Sequence, residues 1–244
     1  MKSLFPTIYG FNKTSEAGQD TFAISVFLGG CNLRYPYCMN ASLVRKSTNK
    51  ITDIEEIKDY VIKNKVDKVV ISGGEPTITN KDQLIDLIKE IKSWGCNVGM
   101  STNGTNTGIL VSVIGFLDYV AIDIKATKCE QYEEISFDKN LHKLSVLESV
   151  FLSLSKLVEE KNNRPTFDFE IRTTLFPPFI NKLNIATIGT SIGKQNKWVL
   201  QQFRHSKNML DKNCHDIKPY TENEVKEIMD IAKKYCDNVS LKYV

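Results

Sequence analysis

Short apolar runs alternate with amphipathic stretches along this chain. TFAISVFL (21–28) is a strand-like run. ITDIEEIKDYVIKN (51–64) reads as a helix with Thr52 as its cap and Glu55 three residues on, the capping-box arrangement. DKVVIS (67–72) is the next strand, and DQLIDLIKEIKSW (82–94) places Leu84, Ile85, Leu87, Ile88 and Ile91 on one helical face. CNVGMST (96–102) follows as a strand, then a short helix near 105–115, the strand DYVAIDIK (118–125) and a long helix near 141–161. FDFEIRTTL (167–175) alternates apolar and polar positions. A helix near 181–193 precedes the strand KWVLQQF (197–203). TENEVKEIMDIAKKY (221–235) is a last amphipathic helix, and NVSLKYV (238–244) is a candidate final strand.

Alternation at this spacing predicts parallel strands joined by right-handed crossovers. Strands that are apolar on both faces fit a sheet covered by helices. Six or seven such units are too few for a full eight-stranded barrel. The pattern leaves two α/β architectures open, a doubly wound sheet and a curved, incomplete barrel. In both, working residues gather where strands end and loops begin. With no internal repeat or low-complexity linker, residues 1–244 read as one domain.

Composition narrows the function classes. With 41% hydrophobic and 25% charged residues, the chain reads as an ordinary soluble protein. A net charge of +3 with both signs interspersed offers no footing for nucleic acid or an anionic membrane. No apolar run reaches the ~18 residues of a membrane span. The N-terminal MKSLFPTIYGFNKTSE lacks the apolar core of a signal peptide, so a cytoplasmic protein is expected. Of six cysteines, only Cys31 and Cys38 are close in sequence, which is no disulfide framework. Cys96, Cys129, Cys214 and Cys236 read as small buried hydrophobes or bystanders, with Cys214 beside His215 in a loop.

Polar residues and glycines collect at the carboxyl ends of the strands. GGCNLRYPYC follows the first run, SGGEP (72–76) the second and STNGT (101–105) the third. Asp123 and Lys125 mark the fourth, Glu170, Arg172 and Thr174 the fifth, and Gln201, Gln202 and Arg204 the sixth. Gly73 and Gly74 let a ligand approach the backbone closely, Glu75 offers a carboxylate and Pro76 stiffens the exit. A plain tight turn is the other reading of that stretch. Asp123 and Lys125 share one face of their strand, as ligand contacts or as an internal salt bridge. Arg172 is a fork suited to a carboxylate. Together these groups suit a zwitterion that also carries hydroxyls. Glu75 would take an ammonium, Arg172 a carboxylate, and Asp123 or Thr102 ribose hydroxyls.

Taken in order, these motifs resemble the radical S-adenosylmethionine superfamily. In that family a C-x-x-x-C-x-x-C loop after the first strand holds a [4Fe–4S] cluster through three thiolates. One iron is left open for the amino and carboxylate groups of S-adenosylmethionine. Cys31, position 35 and Cys38 keep the spacing, and Tyr37 stands at the aromatic position before the last cysteine. Gly73, Gly74 and Glu75 match the motif that binds the methionine ammonium. Within the superfamily the chain is similar to the activating proteins of anaerobic ribonucleotide reductase. GFNKTS (10–15), GGCNLRYPYCMN, ISGGEPT (71–77), STNGT, DYVAIDIKA (118–126), IRTT (171–174), VLQQFR (199–204) and PYTENEV (219–225) carry that likeness over nearly the whole chain. The resemblance implies a partial (β/α)6 TIM-like barrel. It implies cofactor contacts at Tyr37, Gly73, Gly74, Glu75, Pro76, Thr102, Asn103, Asp123, Lys125, Arg172 and Gln201. It also implies reductive cleavage of S-adenosylmethionine, a glycyl radical stored on a partner reductase, and an electron donor of flavodoxin or ferredoxin type.

Two positions depart from the pattern. Met39 stands where histidine is usual, and Tyr35 replaces the middle cluster cysteine. Thiolate is a soft ligand suited to iron–sulfur sites, whereas phenolate is hard. Deprotonating tyrosine at pH 7 costs on the order of 4 kcal/mol, against roughly 2 kcal/mol for cysteine. Iron could offset that cost, since phenolate ligates haem iron in some enzymes. Reach is the greater obstacle, because the tyrosine oxygen lies several ångströms farther from its backbone than a cysteine sulfur. Three readings stay open. The cluster site is crippled on an intact barrel; a cluster assembles on Cys31, Cys38 and a phenolate, small-molecule thiol or water; or the chain is a non-catalytic relative that keeps the S-adenosylmethionine pocket. A radical reaction on a small molecule is the enzymatic alternative to a glycyl-radical partner.

Overall fold

A computed structural model describes residues 4–14, 22–47, 51–136 and 145–243. One eight-stranded sheet carries its strands in chain order. These are β1 (Ile8–Thr14), β2 (Ala23–Leu28), β3 (Lys68–Gly73), β4 (Asn97–Thr102), β5 (Tyr119–Asp123), β6 (Asp168–Leu175), β7 (Lys197–Gln202) and β8 (Asn238–Tyr243). β2 to β8 are parallel to their neighbours, and β1 runs antiparallel to β2. The sheet is not closed, so β1 and β8 are its edges. Six of the parallel strands, β2 to β7, make the partial TIM-like barrel expected above, and β8 extends it.

The helices fill the crossovers. They are α1 (Ala41–Val44), α2 (Ile54–Asn64), α3 (Lys81–Ser93), α4 (Thr107–Ile114), α5 (Cys129–Ile135), α6 (Val146–Asn163), α7 (Lys182–Ile192) and α8 (Glu222–Tyr235). Each apolar stripe faces the sheet: Leu84, Leu87, Ile88 and Ile91 of α3 are fully buried against the core. Asn80 caps α3 through the amides of Asp82 and Gln83, and Ser145 and Thr221 close capping boxes on α6 and α8. No helix among the described residues is long and apolar enough to cross a membrane.

Several boundaries differ from the sequence expectation. The cap of α2 is Asp53, whose carboxylate accepts from the Glu55 amide at 3.1 Å, and not Thr52. Thr52 is buried, and its own amide donates to the Ile8 carbonyl at 2.9 Å, which anchors the segment to β1. β1 itself was not expected, because IYGFNKT mixes glycine and polar residues with little alternation. The helix α5 was also unexpected. β5 ends at Asp123, two residues short of Lys125, and the Ile124 amide makes the last ladder bond to the Arg172 carbonyl of β6 at 2.8 Å. Positions 21, 141–144 and 244 of the expected strands and long helix lie outside the described residues.

Candidate functional site

Two loops cross at the carboxyl ends of β2 and β3. The amide of Glu75 donates to the Gly30 carbonyl at 2.8 Å, and that of Gly74 to Leu28 at 2.8 Å. A Cβ on Gly74 would fall 1.7 Å from the Gly30 oxygen. Gly73 has φ of 107°, a region open chiefly to glycine. The pair is therefore required first by a close approach of protein backbone to protein backbone, rather than by ligand approach alone.

Glu75 knits the next strand end to this crossing. Its Oε1 accepts from the Thr77 amide (3.0 Å), the Thr77 hydroxyl (2.7 Å) and the Thr102 hydroxyl (2.7 Å). Its Oε2 accepts from the Asn103 amide at 2.7 Å. The carboxylate is buried, and no cation among the described residues forms an ion pair with it. Burial raises its pKa above the ordinary 4.5, and the four donors oppose that shift. The Thr102 hydroxyl donates to Glu75 and accepts from the Gly104 amide.

The loop after β2 is tied to the segment after β7 and to its own backbone. The Cys38 amide closes a turn onto the Tyr35 carbonyl at 3.1 Å. The Leu210 and Asp211 amides donate to the carbonyls of Cys38 and Pro36 at 2.9 and 3.0 Å. Arg34 donates from its side chain to the Cys31 carbonyl at 2.6 Å, and Asn103 Nδ2 reaches Asn32 at 2.9 Å. Cys31 Sγ accepts from the Leu33 amide at 3.4 Å. Burial, and then the charge of Glu75, push the Cys31 thiol up to about 12.

Opposite the loop, Lys125 Nζ binds Asp123 Oδ2 at 2.9 Å and sits 4.2 Å above the centre of the Tyr35 ring. Burial acts to lower the lysine pKa, but the charge and hydrogen bond of Asp123 together with the Tyr35 and Tyr37 phenols outweigh it and hold the ammonium well above its usual value. Register sets the remaining groups, with Asp123 beside Arg172 and Thr174 beside Gln201. Arg172 is engaged internally: its Nε donates to Glu170 at 2.7 Å, while Lys197 takes the other Glu170 oxygen at 2.8 Å. Asp123–Lys125 and Glu170–Arg172 are thus internal ion pairs, and Asp123, Lys125 and Arg172 also line the pocket. The Tyr37 hydroxyl is buried beside Thr174 and makes no hydrogen bond of regular geometry.

One pocket gathers Cys31, Tyr35, Tyr37, Gly73, Gly74, Glu75, Thr102, Asn103, Asp123, Lys125, Arg172 and Gln201. Cys38 and Pro76 are buried and do not line it. Sequence reading missed Asn40, Ser72, Ser101 and Phe203, which complete the wall. Each lies inside a motif stretch quoted above, GGCNLRYPYCMN, SGGEP, STNGT or VLQQFR, beside the residues singled out as contacts. Asn40 is placed by its side chain, which donates to the Gly73 carbonyl at 3.0 Å. Met39 is at the mouth, 43% exposed.

The two halves of the expected cofactor pair fare differently against this donor set. A cationic amino group fits Glu75, a buried carboxylate lacking a cation. A three-thiolate cluster does not fit the loop, which offers two thiols and a phenol. Burial lifts the Tyr35 phenol well above its ordinary 10, and Lys125 only partly opposes it. Among the described residues, no group of three or more His, Cys, Asp or Glu is placed to hold a metal.

The profile of the 4Fe-4S single cluster domain matches residues 18–142. A Methanocaldococcus jannaschii protein described as a candidate glycyl-radical enzyme activating enzyme is 32% identical over 221 residues, covering 90% of this chain and 88% of its own. A second protein of that organism, with the same description, is 28% identical over 223 residues, 89% and 79% of the two chains. Among solved structures, TYW1 with a lysine–pyruvate adduct superposes with a TM-score of 0.57 at 17% identity, over 88% of this chain and 74% of that one, a likeness of fold. The chain belongs to the 4Fe-4S single cluster domain family, within the radical S-adenosylmethionine superfamily of enzymes.

Proposed function

We propose that the chain binds S-adenosylmethionine at its strand ends and works on a glycyl-radical enzyme, in the line of the activating proteins of anaerobic ribonucleotide reductase. Glu75 carries the ligand half of this reading. A buried carboxylate with four neutral donors and no ion-pair partner among the described residues still lacks a countercharge. The ammonium of S-adenosylmethionine supplies it at Oε2, which accepts only one of the four bonds. Asp123 Oδ1 remains for ribose hydroxyls, since Lys125 is on Oδ2. Arg172 and Lys125 put positive charge where a carboxylate would lie, and Tyr37 and Gln201 border the remaining space. Gly73, Gly74, Pro76, Thr102 and Asn103 act on this ligand by fixing Glu75.

The partner half is supported by the two archaeal relatives, which match nearly the whole chain. No electron-transfer step is assigned to the loop, because its donor set is one thiolate short of the family pattern. Tyr35 favours a second reading, a member that binds S-adenosylmethionine and its protein partner without cleaving the ligand.

Calorimetric titration of the metal-free protein with S-adenosylmethionine tests the ligand half. A hydrogen bond to a charged group contributes about 1.5–3 kcal/mol, so Glu75→Gln should weaken binding by roughly 10- to 100-fold. Equal affinity in the two proteins would remove Glu75 from the ligand site. Co-purification with a glycyl-radical enzyme from the same organism tests the partner half, and two independent elution peaks would count against it.

A further inference from the structure

Tyr35 occupies the place of a metal ligand and behaves there as a packing residue. Its ring lies under the Lys125 ammonium at 4.2 Å and against Tyr37 at 4.8 Å between centroids. Tyr37 in turn packs on Phe176 at 4.6 Å, and Phe176 on Phe203 at 5.0 Å. An aromatic column thus runs from the centre of the loop to the end of β7. A lysine is positioned over the face of an aromatic ring by attraction to its π electrons. In this arrangement the Lys125 charge is shared between Asp123 and the Tyr35 face, and neither partner is a metal-bound group. Around the ring the loop is already closed by backbone bonds from Leu210 and Asp211, by the turn onto the Tyr35 carbonyl, and by the Arg34 and Asn32 side chains. These bonds hold the loop through its backbone and side chains.

We propose that Tyr35 closes the loop by packing in place of a cluster, so that the chain stays folded without metal and binds S-adenosylmethionine intact. The second half of this statement rests on the ligand reading above. The first half stands on the contacts of Tyr35 alone. It separates the aromatic ring, which does the closing, from the hydroxyl, which does not bind iron.

Tyr35→Phe keeps the ring and removes the oxygen, whereas Tyr35→Cys restores a thiol and removes the ring. The wild type and both variants are compared for melting temperature as metal-free proteins under reductant. Iron and sulfide are then counted after anaerobic reconstitution. The wild type and Tyr35→Phe are expected to melt together and to take up equally little iron. Tyr35→Cys should melt several degrees lower without metal and take up severalfold more iron. Wild-type iron content equal to that of Tyr35→Cys and lost in Tyr35→Phe would make the phenolate a ligand and overturn the proposal. A melting temperature for Tyr35→Phe as low as that of Tyr35→Cys would overturn it too. Metal-free wild type that gives the expected melting and iron results yet shows no heat with S-adenosylmethionine would overturn the ligand reading and leave the packing role of Tyr35 in place.

Discussion

Gly74 sits where the loops after β2 and β3 touch, with no room for a side chain. Gly74→Ala places a methyl 1.7 Å from the Gly30 carbonyl oxygen, a backbone atom that cannot swing aside. Overpacking of this kind costs about 1–3 kcal/mol where the structure can yield, and more where it cannot. A fall of that size in unfolding free energy is expected from urea titration, together with loss of S-adenosylmethionine binding. An unchanged midpoint would mean that the crossing is looser than drawn. From sequence, GG was legible as a site of close approach, but not what approaches. Gly30 is 44 positions away, and only the register of Leu28 against Gly73 brings it near. Glu75 was legible as a carboxylate at a strand end. That Thr102 and Asn103 would bond it was not, because those donors are aligned by pairing of β3 with β4, whereas Thr77 bonds it locally, two residues on.

At the scale of strands, β6 and β7 share an ion-pair set in which Glu170 and Arg172 are buried and Lys197 is half-exposed. Strand alternation puts Glu170 and Arg172 on one face, so that pair was readable. Lys197 was not, since it joins only through the register that sets it opposite Glu170. Removing one member of a fully buried pair typically costs about 3–5 kcal/mol. Arg172 keeps Ser101 and Tyr119 as partners and Lys197 is partly solvated, so Glu170→Gln is expected to lose less than that, about 1–3 kcal/mol at pH 7 in chemical denaturation. Burial acts to raise the Glu170 pKa, but the Arg172 charge and the Lys197 hydrogen bond and charge outweigh it, and the net shift is downward from 4.5. A depressed carboxylate contributes its stability above the unfolded value and loses it as pH falls through the folded one. The gap between wild type and Glu170→Gln should therefore narrow as pH drops below 4.5. A gap constant from pH 7 to pH 3 would rule the ion-pair explanation out.

Over the whole molecule, alternation of strands and helices carried the parallel sheet, the helix-covered faces and the rule that chemistry lies at strand ends. It did not carry the choice between flat and curved sheets, because both bury the same residues on both faces. The edge strand β1 was hidden for a related reason: an edge has one neighbour and needs less apolar character, so IYGFNKT resembles loop. Because the pocket draws on six strand ends, bound S-adenosylmethionine should slow hydrogen exchange in segments 31–40, 73–77 and 102–106 together. The opposite sheet end, around Lys68, Asn97 and Lys197, should be unaffected. Protection spread evenly over both ends would point to global tightening rather than to this pocket.

The crossing of Gly30 and Gly74 also bears on how such a chain is able to change over generations. With the exit of the loop fixed by amides and carbonyls, an exchange at position 35 changes the chemistry and packing inside the loop, at a cost in stability, and leaves the bonds that hold its ends in place. Position 74 has no comparable freedom. A lineage built on this crossing is able to exchange one loop content for another without first passing through an unfolded intermediate.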